Sequence, residues 1–112
     1  MYFLGIDIGT FSSKGVLVGE DGRVKARASV PHTMENPAPG YFEQDAEQIW
    51  WGDFCKLSKE LIQTSDISPE EIGAVGASTL GADCFPWTRK ESLSGRRFCM
   101  ESMQDVQRKW KR

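Results

Sequence analysis

Cysteine is scarce in this 112-residue chain, and the three present, Cys55, Cys84 and Cys99, are odd in number and lack metal-ligand spacing. A disulfide framework and a zinc site are both excluded on that count, leaving buried or free thiols as the expectation. Long apolar runs are missing too. No uncharged stretch approaches the roughly 20 residues that a membrane helix needs, so no spanning segment and no membrane partner is expected. The first residues carry no basic segment and meet Asp7 early, which argues against a secretory signal and for a cytoplasmic protein. Neither Gly-x-x-x-x-Gly-Lys-Ser/Thr nor Gly-x-Gly-x-x-Gly occurs, which removes the two commonest glycine-rich nucleotide loops. The length itself allows one domain at most.

What is present is an ordinary globular composition, 39% hydrophobic and 27% charged, with an uneven distribution of charge. Residues 85–112 hold eight Lys/Arg against three Asp/Glu, a net of +5, so the first 84 residues carry −7 of the overall −2. A basic tail on an acidic body is a common signature of polyanion attachment.

Two apolar runs, residues 2–8 and 14–18, predict strands joined by a polar turn. Glu20-Asp21-Gly22 is a turn signal, and residues 23–30 then alternate Val24, Ala26, Ala28 and Val30 with polar neighbours. The pattern predicts a three-strand antiparallel meander with one wet face. Residues 31–40, with three prolines and a glycine, predict a surface loop. Asp45, with Gln48 three residues on, predicts the N-cap of a helix over residues 46–64. Its Ile49, Trp50, Phe54, Leu57, Leu61 and Ile62 recur at helical spacing and should pack on the sheet, with Trp50 and Trp51 in the core. Residues 72–77 predict a buried strand added to the meander, giving the order β-β-β-α-β. His32, between Pro31 and Thr33, is expected to be a solvated loop residue. Beyond Cys84 neither a strand nor a helix period persists.

The chemistry-bearing stretch is Gly5-Ile6-Asp7-Ile8-Gly9-Thr10-Phe11-Ser12-Ser13-Lys14. Gly9 lets backbone approach a ligand closely, the hydroxyls of Thr10, Ser12 and Ser13 can donate to phosphate oxygens, and Lys14 adds a cation. Asp7, at a strand end, can position a hydrated Mg²⁺, a hard ion that takes oxygen ligands and keeps several waters. The same residues also suit an ordinary hairpin turn with Lys14 solvated.

This stretch resembles the first phosphate loop of the FGGY carbohydrate kinases, members of the actin-like, ribonuclease-H-like ATPase superfamily. The resemblance continues through Gly40-Tyr41-Phe42-Glu43-Gln44-Asp45 with Trp50 and Trp51, and ends at Ile72-Gly73-Ala74-Val75-Gly76-Ala77-Ser78-Thr79-Leu80-Gly81-Ala82-Asp83-Cys84. It implies a partial α/β, ribonuclease-H-like domain over residues 1–84 and an ATP-dependent kinase that phosphorylates a sugar hydroxyl, with ATP and Mg²⁺ as cofactors. By the same resemblance Asp7 acts through Mg²⁺ by way of water. Gly9, Thr10, Ser12, Ser13 and Lys14 then face the phosphates, and Leu80, Gly81, Ala82 and Asp83 line the sugar side of the cleft. Asp83 would otherwise be a loop cap. No catalytic residue falls in this stretch, since the family's general base lies further on, so the isolated chain is expected to be inactive. Among the subfamilies the chain looks most like xylulose kinases, although Thr79-Leu80-Gly81 stands where those carry Met-His-Gly. Phe11 replaces a residue that is often small and polar.

The tail departs from the family pattern in the frame as written. Skipping the first two bases of the Phe85 codon, Trp87-Thr88 encodes Asp, Phe98-Cys99 Leu, Met100-Glu101 Gly and Met103-Gln104 Ala, whatever synonymous codons are used. With permitted codons elsewhere the frame reads Pro-Val-Asp-Glu-Lys-Gly-Lys-Pro-Leu-Arg-Pro-Ala-Ile-Leu-Tyr-Gly-Ile-Asp-Ala-Arg, the continuation that the resemblance implies. Residues 85–112 are therefore expected to be a frameshifted, unstructured tail with no specific nucleic-acid partner. The alternatives are another actin-like ATPase and a non-enzymatic module whose basic tail binds polyanions. The sugar and the oligomeric state, homodimer included, stay open.

Overall fold

A computed structural model describes residues 1–81, 83–84 and 97–99, and divides the chain into two compact units, residues 1–33 with 47–80 and residues 34–46 with 81–112. In the first unit, β1 (Tyr2–Ile8), β2 (Ser12–Gly19) and β3 (Val24–Pro31) form the expected antiparallel meander, and β6 (Ile72–Thr79) joins β1 in parallel. The strand order is β3-β2-β1-β6. Strand periodicity sends Leu4, Ile6 and Ile8 of β1, Leu17 of β2, and Ala26 and Val30 of β3 to one face, where they are buried. The turn between β2 and β3 needs Gly22, whose φ of 76° lies in the left-handed region. Asp21 accepts from the Arg23 backbone N–H at 3.0 Å and stiffens that turn.

Helix α1 (Gly52–Ser65) follows directly on a wider π-type turn, Ala46–Trp51, so the helical segment begins where the sequence places it, just after Asp45. Asp53, Leu57, Leu61 and Ser65 form its buried line at a spacing of four, and Leu57 and Leu61 complete the core. Burying a leucine of this kind contributes about 1.5–3 kcal/mol of favourable transfer. The two tryptophans divide. Trp50 packs against the core, whereas Trp51 is 63% exposed and stacks on Phe54, ring centroids 5.7 Å apart, because the wide turn rotates it off the buried line.

Two further expectations are corrected. Strand β6 is exposed at seven of its eight residues, because α1 packs on β1, β2 and β3 and leaves the β6 side of the sheet uncovered among the described residues. Residues 31–40 are not simply a loop. In the second unit β4 (Glu35–Ala38) and β5 (Tyr41–Gln44) form a hairpin that turns at Gly40, whose φ is 77°. Within that unit β5 pairs with β8 (Arg97–Cys99), which also pairs with β7 (Asp83–Cys84). The tail, expected to be unstructured, thus supplies one strand; its other residues lie outside the described ones. Gln44 is fully buried.

Candidate functional site

The site is built at one edge of the first sheet. β1 and β6 run parallel, so their C-terminal ends emerge side by side, the place where ligands bind in open sheets of this kind. Between Ile8 and Ser12 the chain reverses in three residues. The Gly9 N–H donates to the Ser12 carbonyl at 3.0 Å, and a Cβ on Gly9 would stand 3.0 Å from that same oxygen, so glycine permits the tight closure.

Asp7 lies on the sheet face away from α1. Its register partners are Lys14 on β2 and Ser78 on β6, and Lys14 in turn faces Ser29 on β3. A polar row Ser78–Asp7–Lys14–Ser29 therefore crosses all four strands. The Ser78 hydroxyl donates to Asp7 Oδ1 at 2.6 Å and orients the carboxylate. In the next row Gly76 and Gly5 are neighbours, followed by Val16 and Arg27. Two adjacent positions without side chains help open a cleft of about 920 Å³ whose polar walls are Asp7, Lys14, Arg27, Ser29 and Ser78. It carries Lys14, Arg27 and Asp7 beside an apolar lining that includes Ile6, Val16, Ala28 and Ala77.

Most of the expected phosphate-side residues are brought together here: Asp7, Gly9, Thr10, Ser12 and Lys14 lie within one strand-turn-strand. Ser13 is the exception. It is fully buried on the α1 side, its hydroxyl donating to Asp53 Oδ2 at 2.7 Å, because strand alternation turns it away from Lys14. Of the sugar-side residues, Leu80 follows the last residue of β6, beside the Gly9 turn. Gly81 and the backbone of Asp83 belong to the second unit, and Ala82 lies outside the described residues.

Two residues join the site that the sequence did not announce. His32 is not solvated. Its side chain is 7% exposed, with Nδ1 2.8 Å from Asp53 Oδ2 and Nε2 2.9 Å from the Gly9 carbonyl oxygen. Asp53 was legible in principle, since it stands four residues before Leu57 on the helix line that enters the core. Phe11, at the tip of the turn, is 71% exposed. Among the described residues no group of three or more His, Cys, Asp or Glu side chains converges as a metal cage. A lone oriented carboxylate such as Asp7 fits Mg²⁺, which is commonly held by one or two carboxylates together with substrate phosphates.

The model of the FGGY family of carbohydrate kinases, N-terminal domain, matches residues 2–98. The chain belongs to that family. The match runs past Cys84, where the motifs end, and takes in β8 up to Phe98. A glycerol kinase from Trichormus variabilis is 35% identical over 88 residues, which are 79% of this chain and 17% of that protein. A xylulose kinase from Rhodospirillum rubrum superposes with a TM-score of 0.85 at 25% identity, over 99% of this chain and 23% of that one. A Plasmodium falciparum glycerol kinase, solved with ADP, shares the fold with a TM-score of 0.75 at 17% identity, over 97% of this chain and 22% of that one. The FGGY chain described here thus spans about a fifth of the length of these relatives. Its partial mixed sheet with one covering helix is the opening of their actin-like ATPase fold. No helix among the described residues is long and apolar enough to cross a membrane.

Proposed function

We propose that this chain supplies the first phosphate loop of an ATP-dependent carbohydrate kinase. The observation that carries the reading is the row Ser78–Asp7–Lys14–Ser29 beside the closed Gly9 turn, in a chain of the FGGY family. ATP with Mg²⁺, when bound, supplies the phosphoryl group and the divalent charge that offsets its oxygens. Asp7, oriented by Ser78, holds the hydrated cation. Lys14 sits next to it in register and neutralises phosphate charge, while the Gly9–Ser12 turn presents backbone and hydroxyl groups to the same oxygens. Such transfer depends chiefly on holding the nucleophile and phosphate in line while cations balance the developing charge. Ser13 is left out of this set, because its hydroxyl is committed to Asp53.

The acceptor is a sugar or polyol hydroxyl, and the family likeness assigns Leu80, Gly81, Ala82 and Asp83 to its recognition. A pentulose is favoured by the likeness to a xylulose kinase, and glycerol by the identity to glycerol kinases. No general base is assigned to this stretch, so the chain by itself is expected to lack turnover. The boundary at residue 84 is also a proposal, supported by the charge asymmetry and the second reading frame, while the match to residue 98 and strand β8 pull the other way.

A chimera tests the function. Residues 2–80 replace the equivalent segment of the R. rubrum xylulose kinase, and phosphorylation of xylulose, glycerol and gluconate by Mg-ATP is followed. Retained turnover supports the reading. A folded chimera without turnover that regains it when the native loop sequence is restored at residues 7–14 would sink it.

A further inference from the structure

We propose that His32 and Asp53 are positioning residues of the phosphate loop, forming an internal clamp that sets the orientation of the Gly9–Thr10 peptide. The inference rests on the phosphate-loop reading above and adds two residues to it. Asp53 comes from the first turn of α1, and His32 follows the last residue of β3, so the clamp reaches the loop from two elements packed behind it. Asp53 Oδ2 receives the Ser13 hydroxyl at 2.7 Å and faces His32 Nδ1 at 2.8 Å; His32 Nε2 lies 2.9 Å from the Gly9 carbonyl. The His32 backbone N–H donates to the Phe11 carbonyl at 3.0 Å, and the Gly9 N–H to the Ser12 carbonyl at 3.0 Å. Gly9, Phe11, Ser12 and Ser13 are each fixed by a named bond.

The direction of these bonds matters. A trans peptide places its C=O and the following N–H on opposite sides, and the chain has no cis bonds among the described residues. With the Gly9 carbonyl drawn inward to His32, the Thr10 N–H is directed to the opposite side of the peptide, away from the clamp. Both ring nitrogens face acceptors, a carboxylate and a carbonyl. The carbonyl can only accept, so the contact with Gly9 is a hydrogen bond donated by Nε2. A pair this deeply buried, with side chains 7% and 10% exposed, holds its geometry far better than a solvated contact would.

The test uses the 112-residue chain, isotopically labelled, and two substitutions that split the clamp. The amide nitrogen of His32→Asn falls near Nδ1 and can still meet Asp53 but cannot reach Gly9; that of His32→Gln falls near Nε2 and can donate to Gly9. Amide hydrogen exchange is read at Gly9 and at position 32, whose N–H groups donate to the Ser12 and Phe11 carbonyls, with Leu4 and Leu17 as core references. Expected for His32→Asn is exchange about tenfold faster in the turn with the core unchanged, and for His32→Gln a return toward the parent rate. In the parent, long-range ¹H–¹⁵N spectra should show the Nε2 nitrogen carrying a proton. Equal effects of the two substitutions, acceleration in the core as large as in the turn, or a parent ring with Nε2 bare would each overturn the clamp. Titration with Mg²⁺-pyrophosphate separates the two readings. Amide shifts at residues 9–12 in the parent, with affinity about tenfold weaker in His32→Asn and recovered in His32→Gln, support both. No response from the parent removes the phosphate reading on its own, while the exchange rates still decide whether the clamp exists.

Discussion

Gly15 of β2 lies directly beneath Leu61 of α1: a Cβ added there would stand 2.8 Å from Leu61 Cδ1 and 3.4 Å from Leu57 Cβ. The missing side chain lets the helix settle on the strand next to Ser13, close enough for Asp53 to reach Ser13 and His32. Gly15→Ala should therefore lower stability by about 1–3 kcal/mol through overpacking. Urea unfolding checks this, and an unchanged midpoint would show that the helix shifts without cost.

Asp7 is exposed on the sheet face, so its loss should leave the fold intact while removing a function. For Asp7→Asn the unfolding free energy should stay within about 0.5 kcal/mol of the parent. The Mg²⁺-dependent part of the pyrophosphate response should vanish, and in the chimera turnover should fall about a hundredfold. Calorimetric titration with and without Mg²⁺ distinguishes loss of the metal contribution from loss of phosphate binding altogether.

Glu70 offers a pH dependence with a definite sign. The Ser68 hydroxyl donates to its carboxylate, and with a smaller contribution from its own backbone N–H this holds the carboxyl below the ordinary glutamate value. A lowered folded-state value means that the contribution to stability is present above the unfolded value and is lost as pH falls through the folded one. The side chain is solvent-exposed, so the effect on stability is small. Carbon-detected titration should show Glu70 charging below the ordinary glutamate value, and Ser68→Ala should raise it toward that value.

The origin of the basic tail is open to a direct reading of the gene. Sequencing across codons 78 to 112 and beyond should show the alternative frame continuing into a second phosphate loop and a catalytic aspartate. A frame that stops, or continues into unrelated sequence, would make residues 85–112 a native part of the protein. Their eight basic residues would then be expected to bind polyanions with an affinity that falls steeply with salt.

The meander was legible because each of its strands writes its burial in alternation: Leu4, Ile6 and Ile8 face inward and Asp7 outward with no help from elsewhere. The helix was legible for the same kind of reason, from Leu57 and Leu61. His32 was not, since its neighbours Pro31 and Thr33 say loop, and the partner that buries it lies 21 residues away. Ser13 looked like one hydroxyl among several, and only its strand parity separates it from Lys14. Prolines hid the β4–β5 hairpin, because Pro37 sits within β4, where proline suits an edge strand. The exposure of β6 could not be read at all. Its Gly/Ala/Val run encodes burial, and what covers it is a property of elements other than the strand itself.

The bond from Ser13 to Asp53 spans 40 residues of chain, and the Asp7–Ser78 bond 71. The turn at residues 9–13 is short enough to close in well under a microsecond, yet closing it does not give it its final shape. That shape waits until α1 has docked and β6 has paired in parallel, the slow, long-range steps of such a topology. In the order of synthesis the turn at residues 9–13 therefore appears well before Asp53 and Ser78, the partners that fix its surroundings.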